Sequence, residues 1–135
     1  MSKTTKLTLF LLLVIIDQTT KFWSAKKLPP CGSEFFCQLC NPGLSWGITL
    51  NINFILLGSL FGIFVIIYLS QKRNWPLFSI LILAGAISNL LDRLIHRCIT
   101  DFINFSFFPI FNLADVFISI GFFLLIGILI KKAPI

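Results

Sequence analysis

The sequence predicts an all-α membrane protein with four transmembrane helices and a small extracytoplasmic loop or β-like element between helices 1 and 2. Apolar residues make up 57% of the 135 residues and charged residues only 12%, about half the charged share of a soluble domain. Sixteen Phe and three Trp exceed what a soluble core of this size can bury. The same composition excludes an intrinsically disordered chain.

Four apolar segments approach the roughly 20 residues that cross a bilayer. We place helices at about 5–23, 53–70, 75–93 and 111–130, in a single domain that covers residues 1–135. The first apolar run, 7–16, is too short alone, so this helix continues through the polar segment 17–21. A secretory signal peptide is the alternative for this segment, but no small-residue cleavage site follows it. Pro109 marks the break before the fourth helix.

The two ends of the predicted bundle differ in charge. Four spans place every acid and every cysteine on one side, the acids being Asp17, Glu34, Asp92, Asp101 and Asp115. The other side holds basic residues with no acid, namely Lys3, Lys6, Lys72, Arg73, Lys131 and Lys132. The positive-inside rule makes this second side, and both termini, cytoplasmic. The net charge of +6 therefore reflects membrane-edge residues, and no basic stripe indicates a nucleic-acid partner.

Polar residues interrupt the predicted helices at helical spacing. An ionised side chain deep in a bilayer costs on the order of 3 kcal/mol, so such residues are functional candidates by default. Three sets share a helix face: Gly85, Asn89, Asp92 and His96 on the third helix, Asn112 and Asp115 on the fourth, and Asp17 and Lys21 on the first. Asp101 lies outside the spans, in a segment whose partial alternation indicates a short strand or loop.

Structural roles explain several of these residues as well. The spacing of Asp17 and Lys21 favours an ion pair in an interfacial turn whose cation reaches the membrane surface. His96 is expected to be a polar anchor, and Asn89 and Asn112 are typical of hydrogen bonds between helices. Asp115 interrupts an otherwise uncharged stretch and therefore requires a partner.

The ionisable residues of this chain favour catalysis by a pair of carboxylates. Two carboxylates in a partly dry site share a proton, so that the neutral one donates while the charged one takes a proton from water. Spacing does not choose the pair, and Asp92, Asp101 and Asp115 are all candidates. One His and scattered acids make a poor catalytic metal site, so we expect no metal and no cofactor.

Five short runs occur in order along the chain. Segments 17–21, 41–47, 85–93, 101–103 and 111–115 read DQTTK, NPGLSWG, GAISNLLDR, DFI and FNLAD. Together they resemble the motifs of bacterial lipoprotein signal peptidase, or signal peptidase II. The resemblance implies a multi-pass aspartic endopeptidase of the bacterial inner membrane, with membrane lipid around it and lipid-modified prolipoproteins as substrates. Such an enzyme removes the signal peptide just N-terminal to the diacylglyceryl cysteine, at the extracytoplasmic side.

The resemblance also assigns residues by motif. Asp101 of the DFI run and Asp115 of the FNLAD run would be the catalytic pair, and Asp92 a supporting residue. The residues expected to bind substrate or brace the cleft are Asp17, Lys21, Asn41, Gly43, Asn89, Asp92, Arg93 and Asn112. Of these, Arg93 and Asn41 are the expected contacts of the substrate backbone.

The chain also departs from the family pattern. Trp46 stands where the family has Phe, and the segment between Asp101 and Asp115 is short, which implies a trimmed loop over the cleft. Cys31, Cys37, Cys40 and Cys98 are additional to the pattern. An oxidising compartment is compatible with a disulfide among them, with two pairings or a structural zinc site left open, and we interpret these cysteines as loop staples or bystanders.

Two other functions fit parts of the sequence. Cys37 and Cys40 form a C-x-x-C, so the chain could be a four-span membrane thiol oxidoreductase. A small transporter that couples to protons through Asp115 or Asp17 is the non-enzymatic alternative, but it leaves the run around Asp101 unexplained.

Overall fold

The computed structural model describes residues 1–43, 51–71 and 74–132. Its elements in chain order are α1 Lys3–Lys27, β1 Phe36–Asn41, α2 Ile52–Gln71, α3 Leu77–His96, β2 Ile99–Ile103 and α4 Leu113–Lys132. All four helices are long and apolar enough to cross a membrane, which confirms the predicted fold class. Relative to the expected spans, α1 continues to Lys27 and α3 to His96. The expectations about Trp46, Lys72 and Arg73 concern residues outside the described ranges.

Helix α3 is the centre of the bundle. It contacts α1, α2 and α4, and 61% of its most apolar window is buried, against 6% for α2 and 11% for α4. The outer helices turn most of their Leu, Ile and Phe side chains away from the protein. Because the surrounding solvent is hydrocarbon, these outward faces need no protein cover. The polar residues of the chain therefore concentrate along α3 and its contacts.

Two glycines allow α3 and α4 to pack closely. A Cβ atom on Gly85 of α3 would collide with the carbonyl oxygen of Ala114 and the side chain of Ile118. A Cβ atom on Gly121 of α4 would lie 2.6 Å from Cγ1 of Ile82 and would also collide with the α3 backbone. Small residues at such crossings bring backbones together, which here places the start of α4 against the middle of α3.

The strands form a two-stranded antiparallel ribbon at one end of the bundle. Leu39 pairs with Asp101, Cys40 with Thr100 and Asn41 with Ile99, and the register is irregular between Phe36 and Leu39. The element expected between helices 1 and 2 is therefore β1, and its partner β2 comes after α3. The N–H of Thr100 donates to Oδ2 of Asp92 at 2.9 Å, which fastens β2 to α3.

Both disulfides lie in this ribbon and its approach. Cys31 is bonded to Cys37, and Cys40 is bonded to Cys98. The two cysteines of the C-x-x-C therefore bond to different partners and do not form the redox dithiol that the oxidoreductase alternative requires. The stapling role predicted for the cysteines agrees with this pairing.

The opposite end of the bundle carries the N-terminus and the connector between α2 and α3. Nζ of Lys6 donates to the carbonyl oxygen of Asn74 at 2.6 Å, so the first turn of α1 lies beside this connector. Ser2 begins α1 by accepting a hydrogen bond from the N–H of Thr5 at 3.0 Å. The ribbon and the basic N-terminal segment are thus at different ends of the molecule.

Candidate active site

A backbone bridge places the end of β2 next to the start of α4. Ile103 and Phe111 exchange backbone hydrogen bonds of 2.9 and 3.1 Å, which closes the intervening residues into a loop. Asn112 therefore lies beside Asp101, although eleven positions separate them in the chain. Its side chain is fully buried, and its Nδ2 donates to Oδ1 of Asp101 at 2.6 Å.

Asn112 and Asp115 cap the N-terminus of α4 reciprocally. Oδ1 of Asn112 accepts the N–H of Asp115 at 3.1 Å, and Oδ2 of Asp115 accepts the N–H of Asn112 at 3.2 Å. This is a capping-box arrangement, and it explains the three-residue spacing by local structure. Because Asn112 also holds Asp101, both aspartates are bound to the same asparagine.

Each of these two carboxylates has one further amide donor. Nδ2 of Asn41 donates to Oδ2 of Asp101 at 3.0 Å, and Nδ2 of Asn89 donates to Oδ1 of Asp115 at 2.8 Å. All four donors are neutral amide groups, so no cation lies in direct contact with either carboxylate among the described residues. Burial, opposed by the hydrogen bond from Asn41 and reinforced by the negative charge of Asp115, raises the pKa of Asp101 to about 7.

Asp17 and Asp92 have a different environment, because Lys21 lies between them. Nζ of Lys21 is 2.9 Å from Oδ2 of Asp17 and 3.3 Å from Oδ2 of Asp92, and all three side chains are buried. The expectation that the lysine reaches the membrane surface is wrong. Residues of α3 supply its partners inside the bundle, so the cation has no need to extend to water.

Neutral groups complete this second cluster. Gln18 donates to Asp92 at 3.1 Å, Ser88 donates to Asp17 at 2.6 Å, and the N–H of Ala114 donates to Asp17 at 2.7 Å. Within the described ranges, every buried side-chain nitrogen and oxygen has a hydrogen-bond partner. The sequence interpretation missed Gln18 and Ser88, although each is a polar residue inside one of the quoted runs.

Asn89 joins the two clusters. Its Oδ1 accepts Nζ of Lys21 at 2.7 Å and Nδ2 of Asn112 at 3.2 Å. With two donors on its oxygen, Asn89 must turn its amide nitrogen toward Asp115. The lysine thus fixes the orientation of a donor to Asp115 without touching that carboxylate.

A cavity of about 310 Å³ opens between α2, α3 and α4 in front of the two aspartates. The predicted site residues that line it are Asn41, Gly43, Asn89, Arg93, Asp101 and Asp115. Those outside its lining are Asp17, Lys21, Asp92 and Asn112. His96 is exposed and also lies outside the lining, as expected for a polar anchor. Within the described part of the chain, no group of three His, Cys, Asp or Glu residues is arranged to hold a metal ion.

Apart from Ser59, the remaining lining of the cavity is apolar and contains glycine. Gly58 and Gly62 of α2 line it, and a Cβ atom on either would meet nothing within 4 Å. Ile63, Ile82 and Phe122 are among the other apolar lining residues. The cleft therefore combines an apolar trough with a polar end that carries two carboxylates.

The four-helix fold and a cleft with two amide-held aspartates fit the class of membrane-embedded aspartic peptidases. The chain belongs to the signal peptidase II family, because the family model described as signal peptidase (SPase) II matches residues 9–131. It is 35% identical over 138 residues to the lipoprotein signal peptidase of Clostridium tetani (strain Massachusetts / E88), covering 88% of each chain. It is 38% identical over 135 residues to that of Caldanaerobacter subterraneus subsp. tengcongensis, covering 90% of this chain and 93% of the relative.

Solved structures agree with the sequence relatives. A bacterial membrane enzyme superposes with a TM-score of 0.82 at 27% identity, covering 98% of this chain and 95% of that chain. A second structure under the same description gives a TM-score of 0.82 at 28% identity. The family resemblance expected from the five runs is thereby confirmed, and the comparisons favour neither the oxidoreductase nor the transporter.

Proposed function

We propose that this chain cleaves the signal peptide from lipid-modified prolipoproteins, just N-terminal to the diacylglyceryl cysteine, with Asp101 and Asp115 as the catalytic pair. One observation supports the choice of Asp101 and Asp115 as the catalytic pair. Asp17 and Asp92 both contact the ammonium group of Lys21, whereas Asp101 and Asp115 accept hydrogen bonds only from amide groups among the described residues and line the cavity. Two acids without a direct cation share one proton at lower cost than they ionise together.

The shared proton supplies both halves of peptide hydrolysis. The ionised carboxylate takes a proton from a water molecule, whose oxygen attacks the scissile carbonyl carbon. The protonated carboxyl group donates to the carbonyl oxygen as the tetrahedral intermediate forms. Collapse of the intermediate breaks the C–N bond, and the leaving nitrogen receives a proton from the pair. The four amide hydrogen bonds hold both carboxylates in place through these transfers.

The cleft suits an apolar, membrane-held substrate. Its trough, with Gly58 and Gly62 on one wall, has room for the apolar residues of a signal peptide. Arg93 and Asn41 line the same cavity as the two aspartates, which supports their proposed contact with the substrate backbone. Arg93 also interacts electrostatically with Asp115, Asp101 and Asp92, and its Nη1 donates a hydrogen bond to Oγ of Ser59 at 3.4 Å.

Two features support an extracytoplasmic active site with both termini in the cytoplasm. The disulfides lie at the same end as Asp101, and disulfides persist in oxidising compartments. Lys3 and Lys6 lie at the other end, as the positive-inside rule requires of the cytoplasmic side. Labelling of a single cysteine placed in the 104–110 loop by an impermeant thiol reagent in intact cells would test this orientation.

Isosteric substitutions test the catalytic pair. Asp101→Asn and Asp115→Asn should each lower kcat for a lipidated prolipoprotein by roughly 10³-fold or more. In either variant an amide replaces one carboxyl group, so the two side chains can no longer share a proton. Mass measurement of the released peptide reports the cleavage site. Glu34→Gln is the matched control, since this acid is exposed at the same end and outside the cavity. Near-normal processing by either aspartate variant, inserted and folded, would overturn the assignment.

A further inference from the structure

Asn41 is the one donor to the aspartate pair that comes from the ribbon strand β1. Its Oδ1 accepts the N–H of Gly43 at 3.1 Å, which turns its Nδ2 toward Oδ2 of Asp101 at 3.0 Å. The other amide donors, Asn89 and Asn112, belong to α3 and to the capped start of α4. The position of Asn41 therefore depends on what holds the end of β1.

The two strands of the ribbon are not held equally. Strand β2 follows directly from α3, is fastened to it by the hydrogen bond from Thr100 to Asp92, and continues into the bridge with Phe111. Among the described residues, β1 pairs along its length with β2 alone, through a register that is irregular before Leu39, and otherwise forms one isolated bridge, between Gln38 and Pro30, at its approach. A two-stranded ribbon is marginal on its own, so β1 requires an additional attachment.

The Cys40–Cys98 disulfide provides this attachment. Cys98 is buried between the end of α3 and the start of β2, and Cys40 directly precedes Asn41. Their Cα atoms lie 5.5 Å apart. We propose that this disulfide is a positioning element of the active site, which holds Asn41 against Asp101 by tying the end of β1 to the α3–β2 junction. The proposal rests on the proposed function of Asp101.

The second disulfide is a matched control within the same chain. Cys31–Cys37 joins residues only six positions apart and reaches neither β2 nor α3. Removing it loosens the approach to β1 but leaves the covalent tie beside Asn41 in place. The variant Cys31→Ser/Cys37→Ser also contains Cys40 and Cys98 as its only cysteines, since the chain has four.

The first experiment compares kcat for cleavage of a lipidated prolipoprotein by purified variants. Cys40→Ser/Cys98→Ser and Asn41→Ala should each lose about tenfold or more, the effect of one hydrogen bond to a charged group. Adding Asn41→Ala to the cysteine variant should cause little further loss, because both changes remove the same contact. Losses that multiply would overturn the proposal, as would full activity of Cys40→Ser/Cys98→Ser. Cys31→Ser/Cys37→Ser should stay within about twofold of wild type.

Reduction tests the same idea without depending on how the cysteine variant folds. Dithiothreitol should lower kcat of Cys31→Ser/Cys37→Ser, and reoxidation should restore it. The basic limb of its pH profile should move upward on reduction, because Asp101 loses a donor that favours its ionised form. An unchanged rate and profile in the reduced protein would refute the positioning role. Failure of the proposed function would look different, since Asp101→Asn would then retain activity in the oxidised protein.

Discussion

Replacement of Lys21 by methionine removes the cation that lies between Asp17 and Asp92. The methionine fills a similar volume, so the packing of α1 on α3 is largely kept. Lys21 is only 2% exposed, and Nζ lies 2.9 Å from Asp17, 3.3 Å from Asp92 and 2.7 Å from Oδ1 of Asn89. Two buried carboxylates therefore lose their shared counter-charge at once.

The expected cost follows from this geometry. Breaking a buried ion pair by removing one partner typically costs about 3–5 kcal/mol, because the remaining charge stays desolvated. For a chain of this size, that free energy lowers the midpoint of thermal unfolding by roughly 10–20 °C. Activity should fall as well, because Asn89 loses the lysine that fixes its amide nitrogen on Asp115.

Thermal unfolding of the purified protein in detergent measures the effect, with prolipoprotein cleavage assayed below the unfolding range. Lys26→Met is the matched control on the same helix, since Lys26 is exposed and lies over the Phe22 ring at 4.0 Å. That contact is worth about 0.5–1 kcal/mol at an exposed site. If Lys21→Met unfolds within a few degrees of Lys26→Met, the buried-cation reasoning is wrong.

Three further predictions concern the cleft. Because the pKa of Asp101 is raised to about 7, the pair should lose its shared proton as the pH increases through about 7, and kcat should then fall. Initial rates across about pH 5–9 measure this basic limb of the pH profile. Gly85→Ala should destabilise the protein by about 1–3 kcal/mol in thermal unfolding, because its Cβ would collide with α4, whereas Gly127→Ala meets nothing within 4 Å and should be nearly neutral. Gly62→Leu should raise KM for lipidated prolipoprotein severalfold with little change in stability, because the leucine side chain fills the trough. An unchanged KM would show that the substrate does not contact this wall.

Much of the fold could be predicted from hydropathy, because spans in lipid must satisfy their own backbone and therefore appear as long apolar segments. The site was harder to predict. The spacing of Asp17 and Lys21 describes their own helix only, and it gives no sign that α3 supplies Asp92 and Asn89 as further partners. These long-range contacts determine whether Asp17 and Lys21 form a surface ion pair or belong to a buried cluster.

The assignment of roles among the acids shows the same limit. Spacing left Asp92, Asp101 and Asp115 equivalent, and only the family motifs separated them. The structure separates them physically, since Asp92 contacts Lys21 while the other two face the cavity with amide donors. The cysteine pairing also needed the register of β1 on β2, which places Cys40 near Cys98 and away from Cys37.

The order in which the chain is synthesised has a consequence for its biogenesis. Asn41 leaves the ribosome well before Asp101, and Asn112 and Asp115 come only with the last helix. A nascent chain that has inserted three helices thus lacks one of the two acids and the asparagine that joins them. The cluster of two aspartates is therefore completed only when α4, the last helix to be synthesised, packs against α3.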